Sequence, residues 1–326
     1  MSLKSEVLRI LEENRNTAVS GQELANKLSV SRSAIWKAIQ ALKEEGYSVN
    51  ATTNKGYQLS VDNDLLSPEG IEIFLNPKYK KNSITVYQSL SSTNVEAKKM
   101  AIGGVEQGAV ILAEEQREGR GRLGKSFFSP AKTGIYMSII LCPKMKTSNA
   151  ILITIASAVA VCRVIEKLTG EEPKIKWVND ILLNEKKICG ILTEAVSDFE
   201  SDTVENVIVG IGINVKTEKE QFPPELRGIA TSLFPKNIYR NQLAAEIINE
   251  LLDLYTQLED KSFISEYKAR SMVLGKDINY YQNGKRHSGR AIDINEIGSL
   301  IVQNEEGEIY ALQSGEITIG SMRDEN

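Results

Sequence analysis

The sequence predicts an α+β fold in three parts, and three observations carry the prediction. The first sixty residues hold three helical apolar repeats followed by two short strands. Residues 71–270 alternate strands and helices, with hairpins among the strands. From residue 272 onward only short strands remain, separated by Asn-Gly, Ile-Gly and Glu-Gly turns. A chain of 326 residues, 41% hydrophobic and 25% charged, has enough apolar content for more than one core. The expected domains are 1–62, 63–271 and 272–326.

In the first part, SEVLRILEEN places Val7, Leu8, Ile10 and Leu11 at helical spacing. SGQELANKLSV opens with Ser20 as N-cap and Glu23 three residues on, a capping box. SRSAIWKAIQALKEEG gives a third helix, capped by Ser31 or Ser33 and closed by Gly46. YSVNATTNKGYQLS reads as a hairpin around Asn54, Lys55 and Gly56. Helix, helix-turn-helix, hairpin is the order of a winged helix-turn-helix. In such a domain the third helix enters the major groove of DNA and the hairpin touches phosphates. Ser31, Arg32, Ser33 and Lys37 start that helix and Lys55 stands at the wing tip, so these five are the expected DNA contacts. Trp36 is expected in the core, in register with Ile35 and Ile39. A winged helix that binds protein instead of DNA fits the same pattern.

VDNDLLSPEG, from Val61, reads as a linker. ITVYQSL, GAVILAEEQ and GIYMSIIL read as strands, with STNVEAKKMAIG as a helix started by Ser92 or Thr93. The apolar run from Ala150 ends at Arg163, too short for a membrane span, and reads as a buried helix. PKIKWVNDILLN and KKICGILTEAV read as two strands around an Asn184–Glu185 turn, ENVIVGIGINV as a third, and RNQLAAEIINELLDLYTQLE as an amphipathic helix. The expected sheet is mixed, with helices on one side. The terminal strands suggest a small β-barrel.

Net charge is -4 and pI about 5.5, so the whole chain gives no electrostatic case for nucleic acid. Residues 26–58, however, carry five basic against two acidic side chains, whereas residues 271–326 carry five against nine. Cys142, Cys162 and Cys189 are odd in number and widely spaced, which predicts reduced thiols and a cytoplasmic protein. No secretory signal pattern is expected at the N-terminus. His287 is the single histidine, which argues against Ser-His triads and His-rich metal sites.

One stretch stands apart: EEQREGRGRLGKS, residues 114–126, with three glycines and four basic residues. Glycine at this density disfavours a helix by about 1 kcal/mol per residue. Gly119, Gly121 and Gly124 let backbone N–H groups approach a ligand, and Arg120, Arg122 and Lys125 add positive charge. The pattern suits a phosphate or carboxylate.

The motifs STN at 92–94, Gln116, GRGR at 119–122, KWVND at 176–180, KKICGILTE at 186–194 and GIGIN at 210–214 occur in this order. Together they resemble the biotin–protein ligases, in the bifunctional form whose winged helix represses the biotin operon. The resemblance covers essentially the whole chain. It implies a class II synthetase-like catalytic sheet and an SH3-like C-terminal barrel that helps hold ATP and the acceptor. It implies that biotin's carboxylate attacks the α-phosphate of ATP, giving biotinyl-5′-adenylate, and that an acceptor lysine then takes the biotinyl group. Mg²⁺ accompanies ATP, and no permanent metal site is expected.

By the same resemblance, Ser92, Thr93, Asn94, Gln116, Gly119, Arg120, Arg122, Lys187, Gly210 and Gly212 contact biotin. Arg122, Lys125, Phe127, Asn179, Asp180, Asn214 and Phe222 contact the nucleotide, and Lys187, Arg122 and Asp180 carry the chemistry. The segment from Val215, holding Phe222, is expected as a lid over the adenylate, with a plain surface loop at Pro223 and Pro224 as the alternative. The chain has Val178 where the family usually has proline, Phe127 where tryptophan is common, and Lys125 where some members have arginine. The implied partners are biotin carboxyl carrier domains of acetyl-CoA carboxylase and pyruvate carboxylase, operator DNA, and a second copy of the chain in a homodimer promoted by biotinyl-5′-adenylate. No membrane partner is implied. A lipoate–protein ligase, a ligand-sensing regulator with a retired ligase domain, and a ligase whose winged helix no longer binds DNA remain alternatives.

Overall fold

The computed structural model describes residues 2–52, 55–143, 145–146, 149–198, 203–282 and 285–320. Asn54 of the expected wing turn and the Asn-Gly turn at 283–284 lie outside them. The chain divides into two compact units, one of residues 1–81 and 238–246, the other of 82–237 and 247–326. Residues 63–81 therefore group with the N-terminal segment, and 272–326 with the central sheet, unlike the three-way division read from the sequence.

The first unit holds α1 (Leu3–Glu13), α2 (Gly21–Lys27), α3 (Arg32–Glu44) and a hairpin of β1 (Val49–Thr52) and β2 (Gly56–Leu59). Ser20 Oγ accepts from Glu23 N at 3.1 Å and Ser31 Oγ from Ala34 N at 3.2 Å, so both helices begin where the serines predict. Val7, Leu11, Leu24, Ile35, Ile39 and Leu42 interlock as the core. Trp36 does not join them. It points outward and is 55% exposed, because the buried stripe of α3 runs through Ile35, Ala38, Ile39 and Leu42 and the residue next to Ile35 falls outside it.

The expected linker is an ordered part of this unit. Leu65 and Leu66 are buried, and Ser67 caps the short α4 (Pro68–Glu72). Asn241 Nδ2 donates to Leu65 O at 3.0 Å, its Oδ1 accepts from Ser67 N at 3.0 Å, and Arg15 lies over the Tyr239 ring at 3.8 Å.

The second unit is built on a mixed sheet of β3 (Ile84–Tyr87), β4 (Val110–Ala113), β5 (Gly134–Leu141), β6 (Met145–Lys146), β7 (Lys174–Lys176), β8 (Asp180–Leu183), β9 (Lys186–Asp198) and β10 (Thr203–Asn214). The path runs β3-β4-β5-β10-β9-β8-β7, with β6 against β10. Among the described strands of this sheet β3 and β4 pair in parallel and the other strand pairings are antiparallel. PKIKWVNDILLN, read as one strand, breaks at Trp177–Asn179 into β7 and β8, which pair with each other.

Helices cover both faces of this sheet, not one. α5 (Thr93–Ile102) buries Ala97 and Ala101 against Ile111, Ile140 and Ile208. α6 (Ile151–Thr169) meets Thr193, whose cross-strand partner is Val209, the neighbour of Ile208 and so on the opposite face. α6 is apolar nearly all round because it is buried nearly all round. Among the described residues no helix is long and apolar enough to cross a membrane. α7 (Arg240–Thr256) matches the amphipathic run, while α8 (Phe263–Arg270) is too short to have shown a period.

The terminal strands β11 (Asp277–Gln282), β12 (Lys285–Ile294), β13 (Leu300–Gln303), β14 (Ile309–Leu312) and β15 (Ile317–Ile319) form a five-stranded antiparallel sheet in the order β14-β13-β12-β11-β15. Trp177 Nε1 donates to Gly298 O at 3.1 Å and Lys268 pairs with Asp293 at 2.7 Å, tying this sheet into the second unit. All three cysteines are unbridged; Cys162 and Cys189 are buried and Cys142 half-buried.

Candidate active site

A cavity of about 440 Å³ opens in the second unit over the face of the sheet that carries α5, a volume suited to a small-molecule ligand. Ser92, Thr93, Asn94, Gln116, Arg120, Arg122, Lys125, Phe127, Asn179, Asp180, Lys187, Gly210 and Gly212 line it. Sequence positions more than a hundred residues apart thus meet here.

One part of the lining is a neutral hydrogen-bonding set. Gln116 Oε1 accepts from Thr93 N at 2.8 Å and from Thr93 Oγ1 at 3.1 Å, and Gln116 Nε2 donates to Ser129 Oγ at 3.0 Å. Ser138 Oγ donates to Thr93 Oγ1 at 2.8 Å. Asn94 Nδ2 donates to Glu194 Oε2 at 2.7 Å and to Leu192 O at 3.2 Å. Ser92 occupies the N-cap position of α5 without a side-chain capping bond. Burial pushes the Glu194 carboxyl up, but its hydrogen bonds from Lys98 and Asn94 outweigh this and hold it below its ordinary value.

The other part is cationic. Lys187 Nζ lies 2.7 Å from Asp180 Oδ1, and Arg122 Nη1 donates to Asn179 Oδ1 at 3.1 Å and Gly315 O at 3.2 Å. Lys125 pairs with Glu316, whose carboxyl is held below its usual range by that bond and by the charges of Lys176 and Lys187. Burial lowers the Arg122 pKa, against the opposing pull of Asp180 and Glu316. Five cations, Arg120, Arg122, Lys125, Lys176 and Lys187, therefore share one region with three carboxylates, Asp180, Glu185 and Glu316, an excess of positive charge that suits a polyanion.

Gly210 and Gly212 have a packing reason as well as a place in the lining. A methyl group at Gly210 would lie 2.2 Å from Asn94 Oδ1, and one at Gly212 would lie 2.6 Å from the Phe127 ring. Phe127 sits edge-on to Tyr136, ring centroids 6.5 Å apart.

Three expected residues do not line the cavity. Gly119 is buried beneath the loop, where any side chain would meet Phe127 O and Ser129 Oγ. Asn214 is buried and donates to Thr231 O at 3.2 Å, bracing the segment that follows β10. Phe222 is 2% exposed and packs on Phe128, centroids 5.9 Å apart, so it is a core residue of that segment. The segment itself reaches the cavity through Leu226 and Ile229, and is held to β9 by Lys187 N to Ile229 O at 2.8 Å and Thr231 N to Lys187 O at 3.0 Å.

Sequence reasoning missed Lys176, Trp177, Gly315 and Glu316 as lining residues. Lys176 and Trp177 stood within KWVND and had a signal; Gly315 and Glu316 had none, since only the fold brings β15 to the cavity.

In the first unit, Ser31, Arg32, Ser33 and Lys37 are grouped at the start of α3, with Arg32, Ser33 and Lys37 exposed. The Ser31 hydroxyl is engaged in capping. Lys55 is exposed beside Gly56 at the start of β2.

The family model "Biotin/lipoate A/B protein ligase family" matches residues 86–214, and an HTH domain model matches residues 4–58. The bifunctional ligase/repressor BirA of Bacillus subtilis (strain 168) is 32% identical over 327 residues, 98% of this chain and 99% of its own length. That of Escherichia coli (strain K12) is 29% identical over 306 residues, 93% of each chain. The structure of a biotin protein ligase from Aquifex aeolicus in complex with biotin and ATP superposes with a TM-score of 0.62 and 26% identity, covering 73% of this chain and 98% of that one.

Proposed function

This chain belongs to the biotin–protein ligase family in its bifunctional ligase/repressor form and is a biotin–[acetyl-CoA-carboxylase] ligase with an N-terminal helix-turn-helix domain, and we propose that its cavity makes biotinyl-5′-adenylate and hands the biotinyl group to a lysine of a carrier domain. The observation that carries this is the joining, in one cavity, of a neutral amide-and-hydroxyl set with a cluster of five cations.

In this reading Thr93, Gln116, Ser92 and Asn94 receive biotin's neutral ureido ring, which needs matched donors and acceptors. Arg120, Arg122 and Lys187 receive its carboxylate and the α-phosphate. The carboxylate oxygen attacks the α-phosphorus and pyrophosphate leaves, so negative charge builds on oxygens that these cations face. Lys125 and Lys176 are placed for the departing pyrophosphate. Positioning and electrostatics supply the rate, and the protein needs no nucleophile of its own. Phe127 offers a ring for the nucleotide. Asp180 and the Asn179 amide oxygen would hold the Mg²⁺ that accompanies ATP, and the ion would neutralise charge on the triphosphate. Asp180 also orients the acceptor amine as it attacks the acyl carbon and AMP leaves.

Arg32, Ser33, Lys37 and Lys55 contact operator DNA in this reading. One helix-turn-helix domain has a small footprint, so binding requires a homodimer on a two-fold site. Adenylate favours the dimer, and consumption of adenylate by acceptor relieves repression.

The test is incubation of the protein with ATP, Mg²⁺, biotin and a biotin carboxyl carrier domain, with lipoate in a parallel reaction. A gain of one biotinyl group on the acceptor lysine, and none with lipoate, is expected. Lipoyl transfer instead would replace the substrate, and transfer of neither acid would leave a ligand-sensing regulator.

A further inference from the structure

We propose that Trp36 reads DNA sequence through direct contact in the major groove, an inference that rests on the repressor reading above and extends it to a residue expected in the core. Trp36 is the most exposed aromatic side chain of the first unit, at 55%. Nothing in the packing of α3 requires a large apolar residue there, because Ile35, Ala38, Ile39 and Leu42 already complete its inner stripe.

Its neighbours define the occupant. Arg32 and Trp36 are four residues apart on α3, as are Ser33 and Lys37, so the four form one outward patch. Arg32, Ser33 and Lys37 are all exposed, and none of them makes an ion pair among the described residues. The surrounding segment 26–58 has an excess of three positive charges in a chain whose net charge is -4. An exposed indole framed by unpaired cations at the start of a helix suits a polyanion that also presents apolar surface. Duplex DNA does so in the major groove, through the thymine methyl group.

The side chain divides the labour with its neighbours. An indole carries no charge and has a single donor, Nε1–H. It packs on a thymine methyl or donates to a base acceptor, and adds nothing to phosphate neutralisation. Arg32, Lys37 and Lys55 do the reverse, fixing register without reading sequence.

This contrast gives the experiment. A duplex is selected from a random-sequence library by the full chain with biotin, ATP and Mg²⁺, and binding of that duplex and of an unselected one is followed against salt concentration. For Trp36→Ala we expect about tenfold weaker binding of the selected duplex, little change for the unselected one and an unchanged salt slope. For Lys37→Ala we expect weaker binding of both and a slope reduced by about one. Trp36→Phe should retain part of the selectivity. The protein's own fluorescence supplies a second readout, because Trp177, the other tryptophan, is 3% exposed. Acrylamide quenching should therefore report mainly Trp36, and the selected duplex should protect it.

Trp36→Ala with wild-type selectivity and no protection by duplex would overturn the proposal while leaving the repressor reading intact. Failure of the wild type to enrich any duplex would remove the repressor reading and this one together. A Trp36→Ala protein changed in sedimentation but not in DNA binding would make the residue an interface between protein chains.

Discussion

Lys187 Nζ meets Asp180 Oδ1 at 2.7 Å across the β8–β9 hairpin, where the pairing register shifts between Ile181 and Leu182. The two side chains are 35% and 25% exposed. A pair this wet contributes about 0–1 kcal/mol to stability. It holds the lysine over Gly190, whose methyl-substituted form would come within 3.2 Å of Nζ, and so directs it into the cavity. Lys187→Ala should therefore lower adenylate formation by about 100-fold or more, as loss of a charge-stabilising donor does. Its melting temperature should stay close to wild type, which calorimetry checks.

Gln116 holds Thr93 by two hydrogen bonds and Ser129 by a third. Gln116→Ala should weaken biotin binding about tenfold, the equivalent of one or two neutral hydrogen bonds. ATP binding should be unaffected. Titration calorimetry with each ligand separates the two effects.

Phe222 distinguishes a core residue from a lid. Because it is buried against Phe128, Phe222→Ala should cost about 3–5 kcal/mol of stability. ATP affinity of the folded fraction should be unchanged. A variant that kept its urea midpoint and lost nucleotide affinity would restore the lid role.

Glu194 links the site to acid stability. Its folded pKa is depressed below the ordinary 4.5, so it contributes stability above that value and loses it as pH falls through the folded value. Glu194→Gln should be less stable than wild type at pH 7, and the difference should shrink steadily below about pH 4.5. Urea midpoints at pH 7 and pH 4 measure it. Glutamine keeps an oxygen that accepts from Asn94 and loses the ion pair with Lys98, so biotin affinity should change less than stability.

The sequence shows some of this architecture clearly and hides the rest for identifiable reasons. Helix caps at Ser20 and Ser31 were legible because capping is local chemistry. The glycine loop was legible because its composition suits no regular element. Trp36 was misplaced because it is adjacent to Ile35, and one residue of helix rotation, about 100°, separates core from solvent. The burial of Phe222 on Phe128 is not legible, because an aromatic in a proline-rich loop gives no sign of which side it buries. The second covering face of the sheet was missed because periodicity shows that a helix is buried, not which face it covers. Glu316 was out of reach: its role depends on β15 lying beside β11, a pairing across about forty residues that no local pattern encodes.

The most direct test of the account is biotin-dependent exchange of labelled pyrophosphate into ATP, measured for the wild type, Lys187→Ala and Arg122→Ala without any acceptor. Exchange that requires biotin in the wild type and falls by about 100-fold in both variants is the predicted result. Absence of biotin-dependent exchange in the wild type, or variants that exchange at its rate, would contradict the assignment of adenylate chemistry to this cavity.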